Sequence, residues 1–215
     1  MHPQSCGLDF GTSNSTVGWS RPGQSALLLL EGNKPTLPSV IFFHTEDIQT
    51  SYGRAAVADY LAGHEGRLMR SLKSLLGTSL IDEVTELAGQ ALPFRKLLEQ
   101  FIGEIKRRAE QAAGQTFSHA VLGRPVFFVD DNPQADQLAE QTLRDIAHAV
   151  GFKDVAFQFE PIAAAFDYES HISREELVLV VDMGGGTSDF SLVRLSPERA
   201  SKTDRREDKI GRAHV

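Results

Sequence analysis

Two aspartates that enclose a glycine-rich turn are the residues of this sequence best suited to chemistry. Asp182 and Asp189 stand on either side of Met-Gly-Gly-Gly-Thr-Ser, residues 183–188. Three successive glycines tolerate positive φ and leave backbone N–H groups accessible, because no Cβ atom shields them. Such a turn can bind a phosphate. Since carboxylates repel phosphate directly, we expect a hard divalent cation, Mg²⁺, to be held between the two acids through water.

The same residues are also compatible with an ordinary β-hairpin that has a glycine bulge and solvated acids. Segments 177–181 and 190–195 on either side have the composition of strands. The N-terminus, however, repeats the plan: residues 9–13 read Asp-Phe-Gly-Thr-Ser, and residues 182–188 contain Asp-Met-Gly and then Thr-Ser. The repetition favours a ligand-binding role for both turns.

Two other phosphate-binding patterns do not fit this sequence. A P-loop needs a lysine directly after its last glycine, and a dinucleotide fingerprint needs G-x-G-x-x-G at the start of a helix. Neither turn has that lysine, and both continue into strand-like sequence. We therefore predict that phosphates bind between two hairpins.

These motifs resemble those of a known family. Residues 7–17 (GLDFGTSNSTV) and 180–192 (VVDMGGGTSDFSL) resemble the phosphate-one and phosphate-two loops of the actin-like ATPase superfamily, and within it the DnaK-type heat-shock protein 70 (Hsp70) chaperones. Residues 70–77 (RSLKSLLG) are similar to the catalytic-lysine segment of that family, and residues 159–166 (FEPIAAAF) to its connecting helix. The order of the four motifs is that of the family.

The resemblance implies roles for individual residues. By composition alone Lys73 would be a solvated surface lysine, whereas in the family it orients or activates the water that attacks the γ-phosphate. The catalytic residues implied are Lys73, Glu160, Asp182 and Thr187. Those that position Mg²⁺ through water are Asp9, Asp182 and Asp189. Those that bind phosphate oxygens of ATP or ADP are Gly11, Thr12, Ser13, Asn14, Gly184, Gly185, Gly186 and Thr187.

One departure from the family pattern concerns communication between domains. The family has an arginine eight residues after the proline that corresponds to Pro125, and it relays the nucleotide state to a substrate-binding domain. This sequence has Pro133 there. The departure argues against chaperone-style signalling between domains. The resemblance extends to the short, YegD-like members of the family, which have no substrate-binding domain, and this chain would be a truncated form of such a member.

Composition limits the function classes. The 215 residues carry a net charge of −7, and 41% are hydrophobic, as in soluble globular proteins. An acidic body of this kind is a poor nucleic-acid binder. One cysteine, Cys6, excludes an internal disulfide, and its place in a strand predicts an inert buried thiol. No segment is apolar and long enough to span a membrane, so we expect a cytoplasmic protein without membrane partners.

The fold predicted is α/β and ribonuclease-H-like, with a mixed sheet and flanking helices, as in actin-like ATPases. Residues 1–175 would form the first lobe, with a mainly helical insertion at about 44–115, and residues 176–195 the first hairpin of the second lobe. Residues 196–215 are predicted to be disordered. The last six, Ile-Gly-Arg-Ala-His-Val, resemble a translated sequencing adaptor and suggest a non-native tail.

The helices that flank this sheet follow from hydrophobic spacing. Residues 93–113 carry an apolar stripe, with Pro93 in the first turn and Gly114 at the exit. Asn132 is predicted to cap a second helix that runs to about residue 150, with Leu138, Leu143, Ile146 and Val150 facing inward.

The function implied is that of the N-terminal part of an Mg²⁺-dependent, ATP-hydrolysing Hsp70-like chaperone. In the family a later glycine motif binds the adenosine, so this chain would bind ATP poorly and turn over little. Unfolded polypeptides or co-chaperones are the implied partners besides nucleotide. The alternatives are an actin-like filament protein of the MreB or ParM kind, which shares both loops, and a fragment of a sugar or acetate kinase.

Overall fold

The computed structural model describes residues 4–45, 49–87, 90–183, 188–202 and 205–214. The strands are β1 (Ser5–Phe10), β2 (Asn14–Gly18), β3 (Thr36–Pro38), β4 (Val40–His44), β5 (Thr50–Tyr52), β6 (Gly66–Arg70), β7 (Val84–Leu87), β8 (Gln90–Pro93), β9 (His119–Arg124), β10 (Asp154–Phe159), β11 (Glu176–Met183), β12 (Ser188–Leu195) and β13 (Lys209–His214). The α-helices are α1 (Arg54–Leu61), α2 (Phe94–Ala113), α3 (Pro133–Ala149) and α4 (Glu160–Glu169). Short 3₁₀ helices span Leu72–Leu75, Ser79–Asp82, Arg199–Ser201 and Arg206–Asp208.

The chain divides into two compact units. The first comprises residues 1–122 and 127–156, and the second comprises residues 123–126 and 157–215. A five-stranded sheet has the order β10-β9-β1-β2-β3, in which β1 pairs antiparallel with β2 and parallel with β9. This mixed sheet with helices confirms the predicted α/β class.

Helix α2 supplies the core of the first unit. The predicted stripe is fully buried at Leu97, Leu98, Phe101, Ile102 and Ile105. The helix packs on β2 and α3, and the ring of Phe101 lies 5.9 Å from that of Phe10 on β1. Burial of large side chains of this kind stabilises a domain by about 1.5–3 kcal/mol each, so α2 holds the hairpin β1–β2 in place.

The boundaries of α2 and α3 follow the predicted capping residues. Pro93 precedes α2 as its N-cap, and Gly114 ends it with φ of 67°. Asn132 Oδ1 accepts a hydrogen bond from the N–H of Ala135 at 3.1 Å at the start of α3. The inward position predicted for Leu138 is wrong, because it is 56% exposed.

The buried face of α3 runs through neighbouring positions instead. Its members recur at three- and four-residue intervals and are Ala139, Thr142, Leu143, Ile146 and Ala147. Leu138 lies one residue, about 100° of helical rotation, away from that stripe.

The insertion predicted at about 44–115 contains strands as well as the helices α1 and α2. Before α2 it has α1 and two 3₁₀ helices, contributes β5 and β6 to the three-stranded sheet β5-β4-β6, and contains the hairpin β7–β8. Short strands with alternating burial, such as Val84–Leu87, give no helical periodicity to distinguish them from loops.

The second unit is built on the three-stranded sheet β11-β12-β13 and on α4, which packs on β11 and β12. Ile162 and Ala165 of α4 are buried with Val193 and Leu195 of β12. Val178 and Val180 of β11 pack on the same cluster. The predicted hairpin is therefore present, and one of its faces rests on α4.

The segment after Leu195 has more structure than its composition predicts. Residues 209–214 form β13, antiparallel to β12. Arg205 donates to both carboxylate oxygens of Glu169, at 2.7 and 2.8 Å, and also pairs with Asp208, which contacts Arg199. The carboxylate of Glu169 also accepts from the N–H of Ser196 at 3.1 Å. A mixed-charge segment can fold here because a buried acid on α4 provides its partner, while its non-native origin stays a prediction.

Candidate functional site

The turn of the first hairpin is tight, and its side chains are exposed. A Cβ atom at Gly11 would lie 2.3 Å from the carbonyl oxygen of Asn14, so the turn accepts only glycine there. Thr12, Ser13 and Asn14 follow with exposed side chains, and Asp9 stands on the exposed side of β1. These hydroxyl and amide groups are available to a ligand.

Ser39 braces this turn from behind. Its Oγ donates to the carbonyl of Gly11 at 2.7 Å and lies 2.9 Å from the Oγ of Ser15, while its N–H donates to the carbonyl of Ser13 at 2.9 Å. Ser15 and Ser39 are fully buried. Ser39 is not among the residues predicted for the site, and its place directly after Pro38, which ends β3, is the one signal for it in the sequence.

Lys73 lies on the 3₁₀ helix Leu72–Leu75 and is half-buried. The residue before that helix, Ser71, has φ of 56°, which is unusual for a residue other than glycine. Leu72 and Leu76 are buried and fix the segment to the first unit. The catalytic role of Lys73 stays a prediction.

In the second unit, the strand register places two acids directly opposite each other. Asp182 of β11 pairs with Asp189 of β12, and Val180 pairs with Ser191. Because side chains alternate across a strand, these four residues share the face that rests on α4. Cross-strand neighbours have Cβ atoms about 4.5–5.5 Å apart, and like charges in such pairs are unfavourable unless a cation compensates them.

The start of α4 adds a third acid to this end of the hairpin. Glu160 is the first residue of the helix and Pro161 follows it, a position that suits proline because the first turn lacks N–H partners. A carboxylate is also favoured at this positive end of the helix dipole. Burial of Ile162 and Ala165 against β12 fixes where Glu160 lies.

A small cavity joins these groups. Its volume is about 10 Å³, enough for roughly one water molecule. It is lined by Pro125, Val126, Glu160, Pro161, Val180, Asp182, Asp189 and Ser191, all of the second unit. The structure thus brings together three of the predicted site residues, Glu160, Asp182 and Asp189.

The donor set at the cavity fits a cation that is bound through water. Among the described residues no three acidic, histidine or cysteine side chains are close enough to coordinate a metal directly. Mg²⁺ keeps several of its waters in most protein sites, because it loses them reluctantly. The facing carboxylates of Asp182 and Asp189 would repel each other without a cation, and they suit an ion that they contact through its bound waters.

The remaining predicted residues are placed as follows. Gly184, Gly185, Gly186 and Thr187 lie outside the described residues, and Asp9 and the first turn belong to the first unit. Cys6 is buried, and burial raises the pKa of its thiol to about 12. The thiol therefore stays protonated at neutral pH and is a poor nucleophile.

Comparison with known proteins bears on these motifs. The family model described as "Hsp70 protein" matches residues 87–199, more than half of the chain. The chain belongs to the Hsp70 family. The recognition drawn from the four motifs is confirmed, and the α/β architecture is consistent with the N-terminal lobe of the Hsp70 ATPase fold.

Among similar curated proteins are three named Chaperone protein HscA homolog. That of Pasteurella multocida is 29% identical over 215 residues, covering 91% of this chain and 33% of the relative. That of Pseudoalteromonas atlantica is 30% identical over 209 residues, covering 88% and 32%. That of Methylobacillus flagellatus is 30% identical over 214 residues, covering 91% and 33%. This Hsp70-family chain spans about a third of the length of these relatives.

Hydropathy of the helices bears on membrane association. In the part of the chain that the structure describes, none of the helices combines the length and the apolar character needed to cross a bilayer. This agrees with the mixed polar and apolar faces of α2, the longest helix.

Proposed function

We propose that this chain is the N-terminal part of an Mg²⁺-dependent ATPase of the Hsp70 type, with nucleotide phosphates bound by the two glycine-containing turns. The observation that supports this most directly is the convergence of Glu160, Asp182 and Asp189 on one cavity in a chain of this family. We place the protein in the cytoplasm, with polypeptide clients or co-chaperones as partners and neither nucleic acid nor membrane.

The reaction in this proposal is phosphoryl transfer to water, in which positioning and charge stabilisation contribute most of the rate. Backbone N–H groups of residues 11–14 and 184–187 bind phosphate oxygens. Lys73 orients the attacking water, and Glu160 and Thr187 complete the set of polar groups around it. Asp9, Asp182 and Asp189 hold the hydrated cation. When bound, Mg²⁺ neutralises charge that develops on the phosphate oxygens.

We propose only a limited activity for this chain, because it covers only part of the length of its relatives. The chain matches about a third of their length, and we propose that the adenosine is bound by a part of the protein outside these residues. We therefore expect weak nucleotide binding and slow turnover for this chain alone. A kinase or a filament protein is not favoured by any feature of the described residues.

The proposal is tested first by metal and nucleotide binding to the chain itself. Mn²⁺ titration followed by electron paramagnetic resonance (EPR) should detect a site that Asp182→Asn weakens by roughly tenfold or more, since one of two facing carboxylates is lost. Calorimetric titration with ADP should give heat only when Mg²⁺ is present. Absence of a Mn²⁺ site in the unsubstituted chain would contradict the proposal.

The role of Lys73 is tested in the full-length protein. Lys73→Ala should lower ATP turnover by roughly 100-fold, as expected when a group that positions a reactant is removed, and leave nucleotide affinity unchanged. Lys96→Ala on the exposed side of α2 is the matched control and should change neither. Unchanged hydrolysis in Lys73→Ala would remove the lysine from the mechanism. Light scattering with and without ATP tests the alternative of an actin-like filament protein. Only a filament former should scatter more light when ATP is added.

A further inference from the structure

Ser191 is a buried polar residue in a position that apolar side chains would otherwise fill. It is 1% exposed, and within the described residues its Oγ makes no hydrogen bond. Its neighbours two and four residues further along β12, Val193 and Leu195, pack on α4. Buried hydroxyls nearly always have a partner in the protein or in ordered water. The hydroxyl of Ser191 therefore indicates a bound group that the described protein atoms do not supply.

The cavity beside Ser191 can supply that partner. Ser191 lines it together with Glu160, Asp182 and Asp189, and its volume of about 10 Å³ suits a single water molecule. A buried water needs two to four polar partners, and a hydroxyl beside carboxylates offers them, since the hydroxyl can donate once and accept twice. Glycines, prolines or valines alone around such a cavity would leave it dry.

We propose that Ser191 is a positioning residue that binds an ordered water in this cavity, and that this water belongs to the hydration shell of the divalent cation held by Asp182 and Asp189. The inference rests on the proposed function, because it assigns a further residue to the same metal site. It explains why the acids face one cavity without forming a direct coordination shell among the described residues. Ser191 acts on the cation through water, and so takes no part in bond making.

The test compares Mn²⁺ affinity among variants of the chain by EPR. Ser191→Ala should weaken Mn²⁺ binding by roughly tenfold or more, the effect expected when a partner of a metal's outer shell is removed. The EPR line shape of the bound Mn²⁺ should also change, because the water geometry around it changes. Ser20→Ala, an exposed serine of the first unit, is the matched control and should bind like the unsubstituted chain.

Thermal unfolding of the same variants distinguishes a purely structural role for Ser191 from the proposed role at the metal site. Ser191→Ala removes a hydroxyl that has no protein partner among the described residues, so its unfolding midpoint should not fall. A large fall, with Mn²⁺ affinity unchanged in the folded state, would overturn the inference.

Failure of the inference and failure of the proposed function give different results. If Asp182→Asn loses Mn²⁺ while Ser191→Ala binds it as tightly as the unsubstituted chain, the Ser191 water is wrong and the metal site stands. If the unsubstituted chain binds no Mn²⁺, both the metal site and the role of Ser191 are wrong.

Discussion

The two hairpins share a sequence motif but bury opposite faces. In β1–β2, the residues on either side of Asp9, Leu8 and Phe10, are 2% and 1% exposed, and the ring of Phe10 lies 5.9 Å from that of Phe101 on α2. In β11–β12, the equivalent residues Val181 and Met183 are 43% and 75% exposed.

The difference follows from the helix that each hairpin contacts. The face of β11–β12 that packs on α4 is the one that carries Asp182, whereas Asp9 lies on the face of β1 away from its buried side. Asp9 also stands opposite Thr16, but Asp182 stands opposite Asp189. One local motif thus gives an aspartate on an open face in one unit and a facing acid pair beside a cavity in the other.

Thiol labelling should give the largest contrast between the two hairpins. Cys6 and Leu179 both stand three residues before the motif aspartate, and Leu179 is exposed. Since burial raises the pKa of Cys6 to about 12, iodoacetamide at pH 8 should modify it roughly a thousand times more slowly than the thiol of Leu179→Cys in a Cys6→Ala background. Rates within tenfold of each other would contradict the assigned faces.

The second unit has a buried ion-pair cluster, Arg205 with Glu169 and Asp208, and the described residues of the first hairpin have no equivalent. Its loss should give the second-largest effect, a fall in stability. Arg205→Ala leaves the carboxylate of Glu169 buried without its cation and leaves Asp208 with Arg199 alone, and breaking a buried pair in this way costs about 3–5 kcal/mol. Thermal unfolding measures the loss, and limited proteolysis should begin after Ser196. Arg194→Ala, half-exposed on β12, is the control and should have little effect.

Shortening the side chain before the motif aspartate should destabilise the first hairpin more than the second. Leu8→Ala opens a cavity in the core of the first unit, where Leu8 is buried, and should lower the free energy of unfolding by about 2–5 kcal/mol. Val181→Ala, at the same place before the second aspartate, should change it by about 0.5 kcal/mol or less, since that residue is already 43% exposed. Urea denaturation measures both, and equal losses would mean that the face of β11 is covered in solution.

The smallest contrast concerns one hydroxyl in each unit. Ser39→Ala leaves the carbonyl of Gly11 and the hydroxyl of Ser15 without their partner and should lower the free energy of unfolding by about 1–3 kcal/mol. Ser191→Ala should cost nothing measurable, because its Oγ has no protein partner in the described residues. The reverse order in urea denaturation would show that the hydrogen bonds of the first turn are not formed.

Much of the fold was predictable because its signals are local. Helix α2 followed from an apolar stripe between Pro93 and Gly114, and the hairpin β11–β12 followed from a β-branched run, a glycine turn and a second strand. The four short strands between β4 and α2 were not predictable in the same way, because three- to five-residue strands carry too few side chains to establish a period.

The candidate site was predicted only in part for a related reason. Motif residues such as Glu160, Asp182 and Asp189 are conspicuous because their types and order match a family pattern. Ser39 and Ser191 are common residues in ordinary strand sequences, and only their burial and partners distinguish them.

The sequence by itself determined the family, the two aspartate-glycine turns and the helices with strong periodicity, because each depends on residues that are neighbours in the chain. Tertiary structure alone decided which face of each hairpin is covered, that Asp182 and Asp189 share a cavity with Glu160, and that Arg205 meets Glu169. These depend on contacts between elements distant in sequence, and no local pattern specifies which helix face will meet which strand face.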